Sequence, residues 1–186
     1  MRIISGTLKG KKINFIKNSN TRPLKDVVRE NIFNILKHSN KLGIKVENSN
    51  ILDLYSGIGS FGLEALSRNA KKVTFVEKDQ IASNILKDNL VNLSLIAKSE
   101  IYTDTIENII KNKMNDKYNI FFLDPPFSDL KFNNDLELLK KNKAFKLNHI
   151  IIIHRERKTK DAFKNLIKTI LIKEYGRSKI IFAKFN

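Results

Sequence analysis

The tetrapeptide Asp124-Pro125-Pro126-Phe127 combines a carboxylate, two rigid residues and an aromatic ring. It follows the apolar run 118–123, which is typical of a buried strand. The two prolines fix φ and cannot continue a strand's hydrogen-bond ladder, so the chain must turn stiffly there. An ordinary strand-terminating turn is one interpretation. The other is a rigid corner that presents an acid and a flat ring to a ligand.

Such a corner suits alkylation of an exocyclic amino group on a base. The lone pair of that nitrogen is delocalised into the ring, which makes it a poor nucleophile. Hydrogen bonds from its two N–H groups to the Asp124 carboxylate and the Pro125 carbonyl would localise the lone pair and aim it. Phe127 would stack on the base, which must first leave its helix or loop. This chemistry requires no metal ion.

A glycine-rich segment, 53–62, lies between an apolar run and a helical pattern. Gly57, Gly59 and Gly62 have the G-x-G-x-x-G spacing, which permits a tight turn and a close approach of the backbone to a ligand. The motif alone fits NAD, S-adenosylmethionine or a structural turn without a ligand. Asp53 favours S-adenosylmethionine, because a carboxylate there would repel a pyrophosphate but could receive the ammonium of a methionine group.

Acidic residues follow the next two predicted strands. Glu77 comes after the run 72–76 and could accept hydrogen bonds from both ribose hydroxyls, a role common to NAD and S-adenosylmethionine sites. Asp104 could bind the adenine amino group, or it could be the N-cap of the following helix. The histidines lie far apart, indicate no metal cluster and are expected at the surface or at strand ends. They are His38, His149 and His154.

The chain is strongly basic, with 35 Lys and Arg against 19 Asp and Glu and a formal net charge of +16. This imbalance predicts a polyanionic partner, and nucleic acid is the usual one. No acid precedes Asp26, so the first residues suit phosphate contacts. The candidate RNA-binding residues are Arg2, Lys9, Lys11, Lys12 and Arg29.

The absence of cysteine excludes disulfides, cysteine-based zinc sites and a cysteine nucleophile. No leader-like apolar segment follows Met1, and no apolar run approaches the roughly 20 residues that a membrane span needs. We therefore expect a soluble cytoplasmic protein.

Strand and helix patterns alternate along most of the chain, which predicts an α/β fold with a mostly parallel sheet. Predicted strands are 51–54, 72–76, 100–102, 118–123 and 149–153, followed by a closing pair, 169–175 and 179–185. Predicted helices are 25–38, 61–68, 80–93, 105–113, 129–141 and 159–167. A short hairpin over 2–5 and 11–16 precedes them. Ligands of such sheets bind beyond the carboxyl ends of the strands, where both motifs fall.

These segments resemble the bacterial 16S ribosomal RNA (guanine-N2)-methyltransferases of the RsmD type, and the similarity runs from Met1 to near the C-terminus. The most specific blocks are the opening Arg-Ile-Ile and the Arg-Pro block with its Arg-Glu and Phe-Asn pairs. The matching segments are 1–6 (MRIISG), 9–12 (KGKK), 21–23 (TRP), 28–34 (VRENIFN), 52–68 (LDLYSGIGSFGLEALSR), 76–79 (VEKD) and 123–127 (LDPPF).

The resemblance implies a Rossmann-like class I methyltransferase fold with a seven-stranded, mostly parallel sheet, an antiparallel edge strand and an N-terminal hairpin-and-helix extension. It implies one domain, 1–186, with a covering extension, 1–40, and a catalytic core, 50–186. S-adenosylmethionine would be the cofactor, and the active site would be Asp124, Pro125, Pro126 and Phe127. The expected cofactor-binding residues are Asp53, Tyr55, Ser56, Gly57, Gly59, Glu77, Lys78, Asp104 and Arg22.

The substrate implied by the resemblance is one guanine of 16S rRNA in the small ribosomal subunit or its assembly intermediate. We expect a monomer without a metal or a membrane partner. Two alternatives stay open. One is an amino methyltransferase acting on adenine N6 or cytosine N4 of DNA or another RNA. The other is a non-catalytic RNA-binding factor for ribosome assembly.

Overall fold

The computed structural model describes residues 1–15, 24–129, 132–163 and 165–186. Its strands are β1 (Asn50–Leu54), β2 (Lys72–Val76), β3 (Ser99–Tyr102), β4 (Tyr118–Leu123), β5 (Phe145–Glu156), β6 (Ile167–Tyr175) and β7 (Ser178–Phe185). Its α-helices are α1 (Asp26–His38), α2 (Ser60–Ser67), α3 (Gln80–Asn92), α4 (Ile106–Asn112) and α5 (Phe132–Lys141). A short 3-10 helix, Ile96–Lys98, precedes β3.

The strands form one sheet in the order β3-β2-β1-β4-β5-β7-β6. The first five are parallel, and β7 runs antiparallel to both β5 and β6. The predicted seven-stranded, mostly parallel sheet with antiparallel pairing toward one edge is confirmed; the reversed strand is inserted between β5 and β6. The chain moves outward in opposite directions from β1 and β4, so a crevice opens beyond their adjacent carboxyl ends.

Alternate residues of the central strands pack into two separate cores, because successive side chains of a strand point to opposite faces of the sheet. Ile51 and Ile120 lie on the face covered by α1, α2 and α3. Leu52 and Phe121 lie on the face covered by α4 and α5. Strands buried on both faces explain the nearly continuous apolar runs in the sequence.

The N-terminal hairpin is less regular than predicted. In the described part of the hairpin, a single antiparallel bridge joins Arg2 to Lys12, flanked by a hydrogen bond from Ile3 N to Lys11 O at 2.9 Å. The hairpin is attached to α2 through the buried carboxylate of Glu64, whose two oxygens accept the backbone N–H groups of Ile4 and Ser5 at 2.7 and 3.0 Å. This attachment places the hairpin on the α1–α3 face of the sheet.

The helix predicted over 159–167 is wrong. The described part of that segment is a loop that leads into β6. The side chain of Asp161 is almost completely buried between two cations, Arg155 Nε at 2.9 Å and Lys179 Nζ at 2.8 Å. The Thr159 hydroxyl donates to the Glu156 carbonyl at 2.7 Å. These tertiary ion pairs fix a non-helical path that local helical periodicity could not reveal.

Strand β5 is longer than predicted. Its parallel pairing with β4 ends at Leu123↔Ile153, but its pairing with β7 continues through His154, Arg155 and Glu156. The polar end of β5 therefore extends beyond β4, under the point where the chain leaves β4 at Asp124.

Within the four described ranges, none of the helices combines the length and apolar character required to span a bilayer.

Candidate active site

Three carboxylates converge at the crevice. Asp53 belongs to β1, Glu77 follows β2 and Asp124 follows β4. Asp53 is 1% exposed, and its Oδ2 accepts the Gly62 N–H at 3.0 Å. Burial raises the pKa of Asp53 well above its usual range, and the negative charges of Asp124 and Glu77 raise it further. An arrangement of this kind favours a cationic ligand, which would relieve the repulsion among the acids.

Asp53 also performs a structural task. The N-cap residue of α2 is Gly59, which has a left-handed backbone and no side chain to cap the helix. Gly62 lies in the first turn of α2, where backbone N–H groups lack partners within the helix. The carboxylate of the neighbouring strand supplies that acceptor, so Asp53 has one oxygen committed to the fold.

The three glycines of the motif have different roles. A Cβ at Gly62 would lie 2.2 Å from the Phe75 ring, and one at Gly59 would lie 2.3 Å from Leu86 Cδ1. Gly62 is required for packing of α2 against Phe75, whereas Gly59 is required mainly by its left-handed backbone at φ +83°. Gly57 has φ +54°, and a Cβ there would meet nothing within 4 Å. Only Gly57 therefore presents its backbone to open space.

The remaining predicted cofactor residues are spread around the same loop ends. Glu77 accepts hydrogen bonds from Gly57 N at 2.7 Å and Asp79 N at 2.9 Å. The hydroxyl of Ser56 is buried and has no hydrogen-bond partner within the four described ranges. Lys78 is exposed. The N-cap of α4 is Thr105 rather than Asp104, so the capping interpretation of Asp104 is wrong.

Asp104 lies beside the crevice strands and is only partly exposed. Its Oδ1 accepts the Thr105 N–H at 2.6 Å and the Asn108 side-chain amide at 3.1 Å. These two hydrogen bonds, the one from Thr105 first, lower the pKa of Asp104. The carboxylate is thereby kept ionised as an acceptor.

Tyr55 connects the glycine loop to α5. It has φ +57°, an uncommon backbone for a residue with a side chain. Its hydroxyl donates to Asp135 Oδ2 at 2.5 Å. Burial raises the pKa of Asp135 to about 6, although the bond from Tyr55 opposes the shift. This contact holds the loop against the helix that follows the Asp-Pro-Pro-Phe corner.

That corner is fixed from below by Arg155, whose side chain is 0% exposed. Its Nη1 donates to the Pro126 carbonyl at 3.1 Å and its Nη2 to the Phe127 carbonyl at 3.0 Å. Its Nε pairs with Asp161, and its guanidinium lies 4.7 Å from the centre of the Phe132 ring. One planar, permanently charged group therefore sets the path of the loop.

His154, the residue before Arg155, contacts the catalytic candidate directly. Its Nδ1 lies 2.8 Å from Asp124 Oδ1 and its Nε2 lies 2.9 Å from Ser178 Oγ. Its ring also meets the Phe127 ring edge-on, with centroids 5.4 Å apart. His154 lies near the end of β5, one of the positions expected for the histidines, but it is buried and bonded to Asp124, a contact that the sequence did not predict.

Two acceptor oxygens of the corner have no hydrogen-bond partner among the described residues. Asp124 Oδ1 faces His154, and no hydrogen bond is formed by Asp124 Oδ2 or by the Pro125 carbonyl. The Asp124 side chain is 22% exposed. These two oxygens are the pair that the amino-group chemistry requires.

The candidate RNA-binding residues differ in their exposure to solvent. The first four are exposed on the N-terminal hairpin: Arg2, Lys9, Lys11 and Lys12. The prediction that Arg29 binds RNA is wrong, because its side chain is 0% exposed and is not accessible to RNA. Its Nη2 donates to the Arg2 carbonyl at 2.6 Å, and its Nε lies 3.8 Å from Glu64. Arg22 lies outside the described residues.

The residues present fit S-adenosylmethionine. Gly57 offers an open backbone face, Ser56 a buried hydroxyl that no described residue bonds, and the three acids a negative site. These features match a ligand that carries hydroxyls and positive charge. Within the described ranges, no group of three or more His, Asp or Glu side chains is placed to hold a metal ion.

A family model described as Conserved hypothetical protein 95 matches residues 1–184. Ribosomal RNA small subunit methyltransferase D of Buchnera aphidicola is 34% identical over 185 residues, which cover 100% of this chain and 91% of that protein. The chain belongs to the methyltransferase D family. The Haemophilus influenzae protein of the same name is 35% identical over 159 residues, covering 84% of this chain and 79% of the relative.

Solved structures place this methyltransferase D family member among class I methyltransferases in fold. An Escherichia coli protein provisionally named a methyltransferase has a TM-score of 0.84 and 25% identity, and the match covers 100% of this chain and 98% of that one.

Sequence reasoning about this family member missed four residues around the corner: His154, Arg155, Asp161 and Ser178. The available signal was the polar triplet His-Arg-Glu immediately after the isoleucine run of β5. Polar residues at the carboxyl end of a central parallel strand lie where sites form.

Proposed function

We propose that the protein transfers a methyl group from S-adenosylmethionine to the exocyclic N2 amino group of a guanine in 16S rRNA of the small subunit. The observation that supports this most directly is the corner at 124–127. It is fixed by Arg155, carries two acceptor oxygens that have no hydrogen-bond partner in the described part of the chain, and lies beside an acidic, glycine-lined crevice. We place the activity in the cytoplasm and in a monomer.

The residues of the crevice would hold the cofactor by charge and by hydrogen bonds. S-adenosylmethionine would supply an electrophilic methyl group on a sulfonium. Asp53 would attract its ammonium, Glu77 its ribose hydroxyls and Asp104 its adenine amino group. Gly57 would let the ligand approach the backbone, and Tyr55, Ser56, Lys78 and Arg22 would line the same site.

The corner would prepare the nucleophile. Asp124 Oδ2 and the Pro125 carbonyl would accept the two N–H groups of the base, which directs the lone pair out of the ring and stabilises the charge that develops on nitrogen. The nitrogen would gain the methyl group while sulfur keeps the electron pair of the broken S–CH3 bond, and the surplus proton on nitrogen would pass to Asp124 Oδ2 and on to water. Phe127 would stack on the base, and Pro126 would keep the turn rigid.

The choice of base and of RNA rests on the family blocks and on the relatives' names. We propose one domain, 1–186, in which a covering extension, 1–40, precedes a catalytic core, 50–186. The exposed basic side chains of the hairpin would contact phosphates and position the ribosomal particle. DNA or other-RNA amino methylation, and a purely structural assembly role, are the alternatives that the experiments below address.

The first experiment incubates the protein with labelled S-adenosylmethionine and small subunits from cells that lack the activity, and then digests the rRNA to nucleosides. We expect label in N2-methylguanosine only. Label confined to adenine or cytosine, or duplex DNA outcompeting the particle, would refute the assignment. An Asp124→Ala protein that binds RNA but transfers nothing would exclude the assembly role.

The second experiment tests the cofactor site by calorimetry. Asp53→Asn keeps an acceptor for Gly62 N but removes the charge, so it should bind S-adenosylhomocysteine about tenfold more weakly. Methylthioadenosine lacks the ammonium and serves as the matched control ligand, and its affinity should stay unchanged. Equal losses for both ligands would contradict the role given to Asp53.

A third experiment addresses the basic hairpin. Replacing Lys9, Lys11 and Lys12 by alanine should weaken particle binding and reduce the slope of log affinity against log salt by up to about 2. The matched control replaces Lys111, Lys113 and Lys141, which are exposed on or beside α4 and α5, across the sheet from the hairpin. Equal effects of both triple variants would show that the hairpin is not the contact surface.

A further inference from the structure

The hydrogen-bond chain Asp124–His154–Ser178 joins three separate strands at the proposed active site. Asp124 follows β4, His154 lies near the end of β5, and Ser178 begins β7. The two bonds measure 2.8 Å and 2.9 Å. The side chain of His154 is 9% exposed, so its ring is largely shielded from water.

The proton positions follow from the partners. An ionised carboxylate can only accept, so Nδ1 of His154 must carry the proton of the bond to Asp124. In neutral imidazole Nε2 is then an acceptor, which the hydroxyl of Ser178 satisfies by donation. The Asp124 carboxylate thus selects the tautomer that points an N–H at it, and the Ser178 hydroxyl, which can donate or accept, completes the chain by donating to Nε2. The edge-on contact with Phe127 further fixes the ring plane.

The consequence concerns the two oxygens of Asp124. Oδ1 is occupied by His154, which sets the rotation of the carboxylate and leaves Oδ2 for the amino group of the base. Without the histidine, the carboxylate could rotate and either oxygen could turn toward water. Misplacement of a reacting group by about 1 Å can cost on the order of 100-fold in rate.

We infer that His154 is a positioning residue for amino-group methylation: it orients the Asp124 carboxylate through Nδ1–H, while Ser178 holds the opposite side of its ring at Nε2. This inference rests on the proposed function. His154 lies at the polar end of β5, outside the glycine and proline motifs, and is here given a role in the reaction.

The test measures kcat, KM for the particle and the Kd for S-adenosylhomocysteine in three variants. His154→Asn places an amide N–H where Nδ1 lies, His154→Gln places one where Nε2 lies, and His154→Leu removes both. We expect kcat to fall roughly 10- to 100-fold for Leu and Gln, with largely unchanged KM and Kd. The Asn variant should recover most of the loss, a pattern that loss of packing alone would not produce.

Two further comparisons separate positioning from stability. His149 is a buried histidine of the same strand, bonded to Lys146 O and Phe185 N far from the corner. His149→Asn should lower the Tm and leave kcat unchanged. The double variant His154→Leu with Asp124→Asn should be no slower than Asp124→Asn alone, because one residue acts through the other.

The outcomes are distinguishable. A wild-type protein that methylates no particle refutes the proposed function itself. Active wild-type protein together with His154→Leu at wild-type kcat overturns the inference alone. An Asn variant no better than Leu, or additive losses in the double variant, also overturns it.

Discussion

Replacing Arg155 by methionine should both destabilise the protein and slow the proposed reaction. Methionine keeps much of the side-chain volume but removes the charge and every donor. The Phe127 carbonyl then loses the Arg155 donor, the Pro126 carbonyl keeps the Asp129 N–H, and Asp161 keeps Lys179 and the Thr159 hydroxyl. The change therefore acts on the corner and on the loop that replaced the predicted helix.

The size of the effect follows from these contacts. Breaking a buried ion pair costs about 3–5 kcal/mol, and the Phe127 carbonyl left without the Arg155 donor costs about 1–3 kcal/mol. The contacts share one guanidinium and do not add, so we expect a loss of about 3–5 kcal/mol. With a urea m-value of about 2 kcal/mol/M, the midpoint should fall by about 1.5–2.5 M.

The assay pairs urea unfolding with methyl transfer below the unfolding transition. The loosened corner should lower kcat about 10- to 100-fold, while the Kd for S-adenosylhomocysteine changes little, because the glycine loop is untouched. Arg155→Lys should lie between the wild type and Arg155→Met in both stability and kcat, because one ammonium cannot donate to two carbonyls and a carboxylate in one plane. A methionine variant that loses less than about 1 kcal/mol and keeps full kcat would refute this reasoning.

Glu64→Gln should cost about 3–5 kcal/mol, because it removes the buried carboxylate between Arg29 and Arg68 and leaves Arg29 with its ion pair to the half-exposed Asp26. Hydrogen exchange should show faster opening of the Ile4 and Ser5 amides, which Glu64 accepts. The stability of Asp135→Asn relative to the wild type should increase as the pH rises. The folded pKa of Asp135 is raised to about 6, so the wild type loses stability when this carboxyl ionises as the pH rises through that value, and asparagine does not ionise. Urea midpoints at pH 4.5 and 7.5 should show the difference growing, and parallel curves would contradict it. Gly57→Ala should cost only about 1–2 kcal/mol, from its left-handed backbone, yet abolish tight cofactor binding. Gly62→Ala should instead reduce the Tm through its clash with a core ring, so calorimetry and thermal unfolding together distinguish the two.

Most of the fold could be predicted from the sequence, because the residue patterns that specify its strands and helices are local and periodic. Apolar runs that suit strands buried on both faces, helical spacing between them and the two turn motifs together predicted the alternation and the sheet. β2 and β4 were predicted to the residue. The glycine loop and the 124–127 corner were also predicted to share one end of the sheet, since carboxyl ends of parallel strands meet there.

What the sequence could not show were the contacts between residues distant along the chain. Arg29 looks like an exposed helical cation until Glu64 and the hairpin are seen to enclose it. The segment 159–167 has helical spacing, but the ion pairs of Asp161 with Arg155 and Lys179 hold its described part in a loop.

The sequence by itself therefore determined which groups could do the chemistry and at which strand ends they lie. Only the tertiary structure decided how Asp124 is held. The insertion of β7 beside β5 extends that strand past β4, which carries His154 and Arg155 beneath the corner. Strand order and overhang are set by packing of the whole sheet, and no local pattern of residues encodes them.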